Sequence, residues 1–218
     1  MIITIDGPAG SGKSTVAARL AGDLHFDYLR TGLMYRVVAL AGLRARVDWE
    51  KTEELEEIAR SISFRFEGSR IFLGDEDVSQ EVETAEITAV TKYAAQNPIV
   101  RAILTKKQQE FAQGRNCITE GRDQGTEAFP HAELKIYLVA APEVRAKRRC
   151  DQKAALGEPA DYDAILKAIV QRDSEDATRA CSPMKPAEDA LIINSDSMSI
   201  EQVVEKIKQA LRSKQEIA

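Results

Sequence analysis

Residues 7–15 read Gly-Pro-Ala-Gly-Ser-Gly-Lys-Ser-Thr, and the first eight match G-x-x-x-x-G-K-[ST] without a mismatch. Residues 2–5 before them form a β-branched run that is typical of a buried parallel strand. Helical apolar spacing follows at Val16, Leu20 and Leu24. Glycines let successive backbone N–H groups face phosphate oxygens, and the positive end of the next helix faces the same anion. The chain is therefore predicted to open with a strand, a triphosphate-binding loop and a helix.

Each residue of this loop is a candidate nucleotide ligand. Lys13 is expected to reach the β and γ phosphates and to act in catalysis, and the Ser14 hydroxyl is expected to ligate Mg²⁺ that accompanies ATP. The nine expected ATP-binding residues are Gly7, Pro8, Ala9, Gly10, Ser11, Gly12, Lys13, Ser14 and Thr15.

The rest of the chain alternates apolar runs with helical patterns, which predicts an α/β P-loop fold of three layers around a parallel sheet. Besides residues 2–5, strands are predicted at 26–29, 116–120, 134–139 and 190–193, and helices at 14–24, 32–43, 142–156, 161–178 and 199–213.

Residues 62–73 interrupt this alternation, because period-two runs at 62–66 and 71–73 flank a Glu-Gly-Ser turn and predict a β-hairpin. A third short strand is expected to begin at Val78, and helices at 52–60, 84–96 and 98–112, the last two divided by Asn97-Pro98. We expect a core of residues 1–59 and 97–218, a small mixed α/β insert at 60–96, and a helical lid at 145–165.

Composition limits the classes of partner. The net charge of -5 argues against binding nucleic acid through a broad basic surface. No apolar run approaches the ~20 residues of a membrane helix, and the start of the chain lacks the pattern of a signal peptide. The three cysteines are far apart and never spaced CxxC, which argues against a zinc site. We expect a cytoplasmic monomer.

Arginine and aspartate recur at positions that ligands favour. Arg36 and Arg101 lie in the first turns of predicted helices, and Arg122-Asp123 follows a strand at the edge where α/β sheets bind ligands. Arg172, Asp176 and Arg179 are spaced i, i+4 and i+7 and are predicted to share a helix face. The alternative for each is a weak surface ion pair.

A basic run of Arg145, Lys147, Arg148 and Arg149 precedes the Gly157-Glu158-Pro159 break. It is either a solvated face or part of a lid that neutralises charge on the transferred group. On the second interpretation Arg145 and Arg149 are catalytic.

The loop alone leaves the phosphoryl acceptor open. The chain lacks the N-K-x-D tetrapeptide of guanine readers, so a small-molecule kinase is favoured over a switch GTPase. A regulatory nucleotide-binding protein is the alternative from another class, although a second set of anion-binding arginines counts against it. The choice between ATP and GTP as donor stays open.

Several stretches between residues 2 and 193 together resemble the bacterial cytidylate kinases, within the nucleoside monophosphate kinases. They are ITIDGPAGSGKST, TGLMYRVVAL, GDEDVS, PIVR, EGRDQGTEAFP, RAKRR, QRDSEDATR and SPMKPAEDALII. The resemblance implies phosphoryl transfer from ATP to CMP or dCMP, with the insert at 60–96 as the monophosphate-binding domain.

The resemblance also implies a role for each acceptor-site residue. The phosphate of CMP would be bound by Arg36, Arg122 and Arg179, the cytosine edge by Arg101 and Asp123, and the ribose by Arg172 and Asp176, while the Thr31 hydroxyl would support the nucleotide. Arginine suits the N3 and O2 acceptors of cytosine, and a carboxylate suits its 4-amino donor, so we expect CMP and dCMP to be preferred over UMP.

The chain departs from the family pattern at a few positions. Lys92, with Thr91 beside it, stands where the family often has a serine that contacts the nucleotide. Gln124 and Glu127 replace residues that are more often apolar, which affects the packing expected for residues 120–129.

Overall fold

The computed structural model of this chain describes residues 1–217, with side chains as far as residue 214. The chain divides into two compact units, which are described separately: the first contains residues 1–29 and 114 onward, and the second contains residues 30–113. The insert expected at 60–96 lies within the second unit, and the lid expected at 145–165 lies within the first.

Strands and helices follow one another in the order that the sequence patterns predict, with boundaries moved by a few residues. In chain order they are β1 Ile2–Asp6, α1 Lys13–Leu24, β2 Asp27–Arg30, α2 Thr31–Ala45, α3 Thr52–Ser61, β3 Phe64–Glu67, β4 Arg70–Leu73, β5 Glu76–Asp77, α4 Ala85–Gln96, α5 Pro98–Ala112, β6 Cys117–Glu120, β7 Leu134–Val139, α6 Pro142–Ala155, α7 Tyr162–Thr178, β8 Leu191–Asn194 and α8 Ile200–Ile217.

The first unit is built on a five-stranded parallel sheet in the order β2-β6-β1-β7-β8. Strand β1 is central, and its Ile3 lies opposite Ile118 of β6 and Leu134 of β7. This confirms the predicted parallel sheet and α/β class. In such sheets ligands bind beyond the carboxyl ends of the strands, where β1 leads into the glycine loop.

Aliphatic side chains from the sheet and from α1 and α8 form the core of the first unit. Helix α1 packs against β6 and α8, and α6 packs against α7. Burying one such side chain completely contributes roughly 1.5–3 kcal/mol, so the sheet is a rigid base for the loops at its edge. The large fully buried members are Ile3, Ile5, Leu20, Ile118, Ile136 and Leu138.

The second unit combines four helices, α2 to α5, with a three-stranded antiparallel sheet in the order β3-β4-β5. The predicted hairpin is confirmed, with Phe64 opposite Leu73. The third strand was expected to begin at Val78, and that is wrong, because β5 ends at Asp77. The Val78 N–H donates to the Ile71 carbonyl, but the strand does not continue from there. The chain then forms a 3₁₀ turn at Glu81–Glu83.

The predicted division between α4 and α5 is confirmed. The Asn97 side chain accepts hydrogen bonds from the N–H groups of Ile99 at 2.9 Å and Val100 at 3.0 Å, and Pro98 occupies the first turn. An asparagine cap followed by proline is a strong helix start, because proline lacks an N–H that would need a partner.

Two features of the first unit differ from the sequence predictions. Helix α7 ends at Thr178, as predicted, but Arg179 lies just beyond it in an extended conformation (φ -60°, ψ 141°), so the expectation that Arg179 shares a helix face with Arg172 and Asp176 is wrong. A π-helical turn at Gln124–Ala128 follows β6 and was not predicted. Within residues 1–217, none of the helices combines the length and apolar character needed to cross a membrane.

Candidate functional site

The glycine loop has the backbone conformation that the motif predicts. Gly7, Gly10 and Gly12 have φ values of 138°, 78° and 95°, which side-chain-bearing residues rarely adopt. A Cβ on Gly7 would lie 2.1 Å from the carbonyl oxygen of Leu138 in β7. Glycine is therefore required where the loop leaves β1, and the loop's curvature follows from its own residues.

Lys13 lies at the start of α1 and is 5% exposed. Its Nζ donates to the carbonyl of Pro8 at 2.6 Å, so the side chain folds back over the loop. Burial, followed by the positive charge of Arg122, holds the pKa of Lys13 well below its ordinary value, and Glu120 acts in the opposite direction. A polyphosphate in the loop would supply the negative charge that favours the ammonium form.

Ser14 meets an acidic residue that the motif alone does not identify. Its hydroxyl lies 2.8 Å from both carboxylate oxygens of Glu120, the last residue of β6. Tyr28 of β2 also donates to this carboxylate, at 2.9 Å. The sequence did offer a signal for Glu120, since it is a carboxylate at the end of a predicted strand, and ligands of α/β sheets bind beyond the carboxyl ends of the strands.

This donor set fits a divalent cation that accompanies the nucleotide. A hydroxyl and a carboxylate are hard oxygen ligands, which suit Mg²⁺ held partly by substrate phosphates. Among the described side chains, no group of three or more His, Cys, Asp and Glu could hold a metal ion alone. Ser14 and Glu120 are therefore the residues that could hold a nucleotide-bound metal.

The other loop residues are held by their backbone groups. The carbonyl of Ala9 accepts from Arg145 at 3.0 Å, and the carbonyl of Ser11 accepts from the Ser195 hydroxyl at 3.3 Å. The Ser11 hydroxyl is buried and has no hydrogen-bond partner among the described residues, whereas Thr15 is exposed.

Four charged residues from two distant stretches of sequence meet in the first unit, and we call them the acceptor quartet: Arg122, Asp123, Asp176 and Arg179. The Arg122 Nε donates to Asp176 at 2.9 Å. Arg179 lies 4.0 Å from Asp176 and 3.9 Å from Asp123. Arg179 and Asp123 are the more buried, with side chains 7% and 8% exposed.

The quartet joins residues that the sequence analysis assigned to phosphate, base and ribose. Alternating charges of this kind hold one another in place without a ligand. Arg172 on α7 is exposed. Both Arg122 and Arg172 lower the pKa of Lys13, which puts them within electrostatic reach of the phosphate loop.

Asp6, the last residue of β1, is a buried carboxylate that the sequence analysis did not select. It accepts hydrogen bonds from the backbone N–H groups of Gln124 at 2.8 Å and Gly125 at 2.7 Å. Burial raises the pKa of Asp6 to about 6, although both N–H groups favour its charged form. The departure at Gln124 is accommodated, because its side chain accepts from the Thr119 hydroxyl at 2.7 Å.

The two arginines assigned to catalysis differ in environment. Arg145 is 2% exposed and donates to the carbonyls of Ala140 and Ala9 and to the carboxylate of Asp173. Arg149 is exposed and donates to Gln152 at 3.4 Å. Arg145 is thus part of the structure that supports the loop, and the solvated-face interpretation does not apply to it.

The second unit contains the remaining predicted residues. Thr31 begins α2 and is buried. Arg36 donates to the carbonyl of Val82 at 2.6 Å and to the Thr88 hydroxyl at 2.9 Å. Arg101 is 4% exposed, donates to the carbonyl of Ala95 at 3.0 Å, and carries its guanidinium 5.3 Å from the ring centroid of Tyr35.

Thr91 and Lys92, where the chain departs from the family pattern, make different kinds of contact. Thr91 donates its hydroxyl to the carbonyl of Ile87, one turn back in α4, at 2.6 Å. The Nζ of Lys92 lies 5.2 Å from the ring centroid of Tyr93. Both contacts are local to α4.

The motif SPMKPAEDA includes a structural contact. Asp189 accepts from Lys135 at 2.8 Å, and the same Nζ donates to the carbonyl of Pro130 at 2.6 Å. Lys135 is buried in β7, so this ion pair satisfies a buried ammonium and ties the segment before β8 to the segment after the π-helical turn.

Comparisons with known proteins agree with this geometry. The family model for cytidylate kinase matches residues 3–213. A cytidylate kinase of Rhodopirellula baltica is 42% identical over 212 residues, covering 97% of this chain and 93% of the relative. Cytidylate kinases of Caldanaerobacter subterraneus and Mycobacterium leprae are also 42% identical, with 96% and 94% of this chain and 94% and 92% of the relatives covered.

Solved structures with little sequence similarity share the fold. A shikimate kinase from Bacteroides thetaiotaomicron has a TM-score of 0.51 at 15% identity, covering 97% of this chain and 98% of that protein. An uncharacterized protein from Eubacterium ventriosum has a TM-score of 0.54 at 13% identity, covering 98% of each chain. These likenesses show the fold alone, whereas the family model and the sequence relatives show that this chain belongs to the cytidylate kinase family.

Proposed function

We propose that this chain transfers the terminal phosphoryl group of ATP to the 5′-phosphate of CMP or dCMP, giving ADP and CDP or dCDP. The observation that carries the proposal is a second set of charged side chains close to the phosphate loop: Arg122 donates to Asp176 at 2.9 Å, and Glu120, two residues before Arg122, contacts the Ser14 hydroxyl at 2.8 Å. An arginine assigned to an acceptor nucleotide therefore lies next in sequence and in space to the segment that contacts the phosphate loop. Such an arrangement suits transfer between two bound anions better than hydrolysis.

The acceptor is already an anion, so the reaction needs no strong general base. Catalysis then consists of positioning the two nucleotides and neutralising the charge that develops between them. Lys13 would bind the β and γ phosphates of ATP, and Arg36, Arg122 and Arg179 the phosphate of CMP. Arg145 and Arg149, in a lid at 145–165, would complete the cationic surroundings and help to exclude water.

The divalent metal is proposed to be Mg²⁺, with Ser14 as its protein ligand and Glu120 orienting the Ser14 hydroxyl. Bound to ATP, Mg²⁺ supplies charge neutralisation on the phosphates. The support is the contact between the Ser14 hydroxyl and both oxygens of the Glu120 carboxylate.

Selectivity for cytosine is proposed to depend on Arg101 and Asp123, with Arg172, Asp176 and the Thr31 hydroxyl supporting the rest of the nucleoside. The Asp123 carboxylate would accept the 4-amino group of cytosine. Uracil presents an acceptor oxygen at that place, which would leave the carboxylate without its donor.

A coupled assay of ADP release tests the proposal, with CMP, dCMP, UMP, AMP and shikimate as acceptors and Mg²⁺ as the metal. We expect CMP and dCMP to give kcat/KM values at least about 10-fold above UMP, as expected for a site that requires a specific donor. Comparable values for UMP would contradict the cytosine assignment. ATP binding without ADP production in the presence of CMP would instead indicate a regulatory protein.

A further inference from the structure

The first N–H groups of the π-helical turn that follows β6 are hydrogen-bonded by an aspartate of another strand and not by the aspartate that precedes the turn. Asp123 occupies the residue that precedes the turn, a position where aspartate ordinarily accepts hydrogen bonds from the first backbone N–H groups. Its side chain makes no such capping bond. Asp6, on the adjacent strand β1, accepts the N–H groups of Gln124 and Gly125, and the second of these is one that a capping Asp123 would take.

We propose that Asp6 is a positioning residue for nucleobase recognition: by capping the turn in place of Asp123, it keeps the Asp123 carboxylate directed to the acceptor pyrimidine. This inference rests on the proposed role of Asp123 in reading the 4-amino group. Asp6 itself would touch neither nucleotide in this role.

The contacts around the turn support a fixed geometry. Asp6 is 5% exposed, and its two oxygens accept two consecutive N–H groups, so one carboxylate sets the direction of the backbone right after Asp123. A Cβ on Gly125 would lie 3.0 Å from the Thr4 hydroxyl and 3.2 Å from Cδ of Lys135. The turn is thus packed tightly against β1 and β7.

Arg179 forms an ion pair with Asp123, with its Nη2 3.9 Å from the Asp123 carboxylate. If the N–H groups of Gln124 and Gly125 lost Asp6, they would be buried without an acceptor, which is costly. Asp123 is the nearest carboxylate in sequence that could cap the N–H of Gly125. It would then turn towards its own backbone and away from a bound base.

The sequence position of Asp6 requires a control on the donor side. Asp6 directly precedes Gly7, so a change there could also disturb the phosphate loop. The two effects separate, because a disturbed loop lowers ATP affinity and turnover with every acceptor, whereas a misdirected Asp123 lowers the preference for CMP over UMP.

The test is Asp6→Asn, assayed for kcat and KM with CMP and with UMP, together with the Kd of a non-hydrolysable ATP analogue. An asparagine of the same shape presents a donor to one of the two N–H groups. We expect the CMP-to-UMP ratio of kcat/KM to fall by about 10-fold, the order expected for losing one specific polar contact. The affinity for the analogue should change by less than about 3-fold, because the loop glycines remain.

Asp23→Asn is the matched control, since it removes a carboxylate that pairs with Lys208 in the same unit and far along the chain from the turn. The CMP-to-UMP ratio of kcat/KM for Asp23→Asn should stay at the wild-type value. If Asp6→Asn does not yield folded protein, Asp6→Glu keeps the charge but displaces the carboxylate, and it carries the same expectation.

A CMP-to-UMP ratio within about 2-fold of wild type in a folded Asp6 variant overturns the inference, whatever happens to total activity. Asp123→Ala, measured in parallel, distinguishes a failure of the positioning role of Asp6 from a failure of the proposed base recognition by Asp123. If it collapses the ratio while the Asp6 variant does not, only the positioning role fails. If Asp123→Ala leaves the ratio unchanged, the proposed reading of cytosine fails as well.

Discussion

The phosphate loop and the acceptor quartet are both proposed to bind nucleotide in the first unit, but they are built in opposite ways. The loop is nine consecutive residues whose glycines have positive φ values, so its shape comes from the backbone. The quartet joins Arg122 to Asp176 across 54 positions of sequence, and its shape comes from side chains. A backbone site tolerates little change of residue type, whereas a side-chain site can be tuned to one acceptor.

The largest effect is expected at the loop. Lys13→Ala removes the cation proposed to bind the transferred phosphoryl group, and we expect kcat to fall by about 10²–10³-fold or more. Steady-state kinetics with saturating CMP will measure this. Lys206→Ala, which changes an exposed lysine of α8, should leave kcat unchanged. A Lys13→Ala enzyme with near-normal kcat would remove the loop from the chemical step.

A change in the quartet should alter selectivity more than rate. Asp123→Ala removes the proposed acceptor for the 4-amino group, and hydrogen bonds to a charged group are worth about 1.5–3 kcal/mol. We therefore expect the preference for CMP over UMP to fall by roughly 10–150-fold, while the KM for ATP changes little. If kcat with CMP and UMP fell equally, Asp123 would act on transfer and not on recognition.

The smallest effect is expected where the two regions join, at Asp6. Its pKa is raised to about 6 by burial, above the 3.8 of an ordinary aspartate. Between pH 3.8 and 6 the folded state therefore binds more protons than the unfolded state, and stability from this group rises as pH falls. Asp123 raises this pKa further, and Lys13 opposes it.

Denaturant unfolding of wild type and Asp6→Asn at pH 7 and pH 4.5 isolates this contribution, because the other carboxylates titrate in both proteins. When the pH falls from 7 to 4.5, we expect the unfolding free energy of wild type to increase by roughly 1–3 kcal/mol relative to that of Asp6→Asn. A difference that does not depend on pH would mean that Asp6 titrates as an exposed carboxylate does.

Much of the fold could be predicted from the sequence, because local patterns decide it. The β-branched run of β1, the alternating residues of the β3–β4 hairpin and the Asn97-Pro98 helix start each act through neighbouring residues. One error occurs where the expected helix periodicity is extended beyond the end of the helix. Helix α7 ends before Arg179, whose Nε donates to the carbonyl of Ser182 at 2.5 Å.

The phosphate loop follows from local sequence alone, since Gly7, Gly10, Gly12 and Lys13 act through the conformation of one short segment. Which carboxylates support that loop and the turn beside the quartet depends on how distant segments pack together. Glu120 meets Ser14 across 106 positions, and Asp6 meets Gln124 across 118. The spacing of these residues in the sequence does not predict such pairings, because they form only when strands β1 and β6 lie side by side.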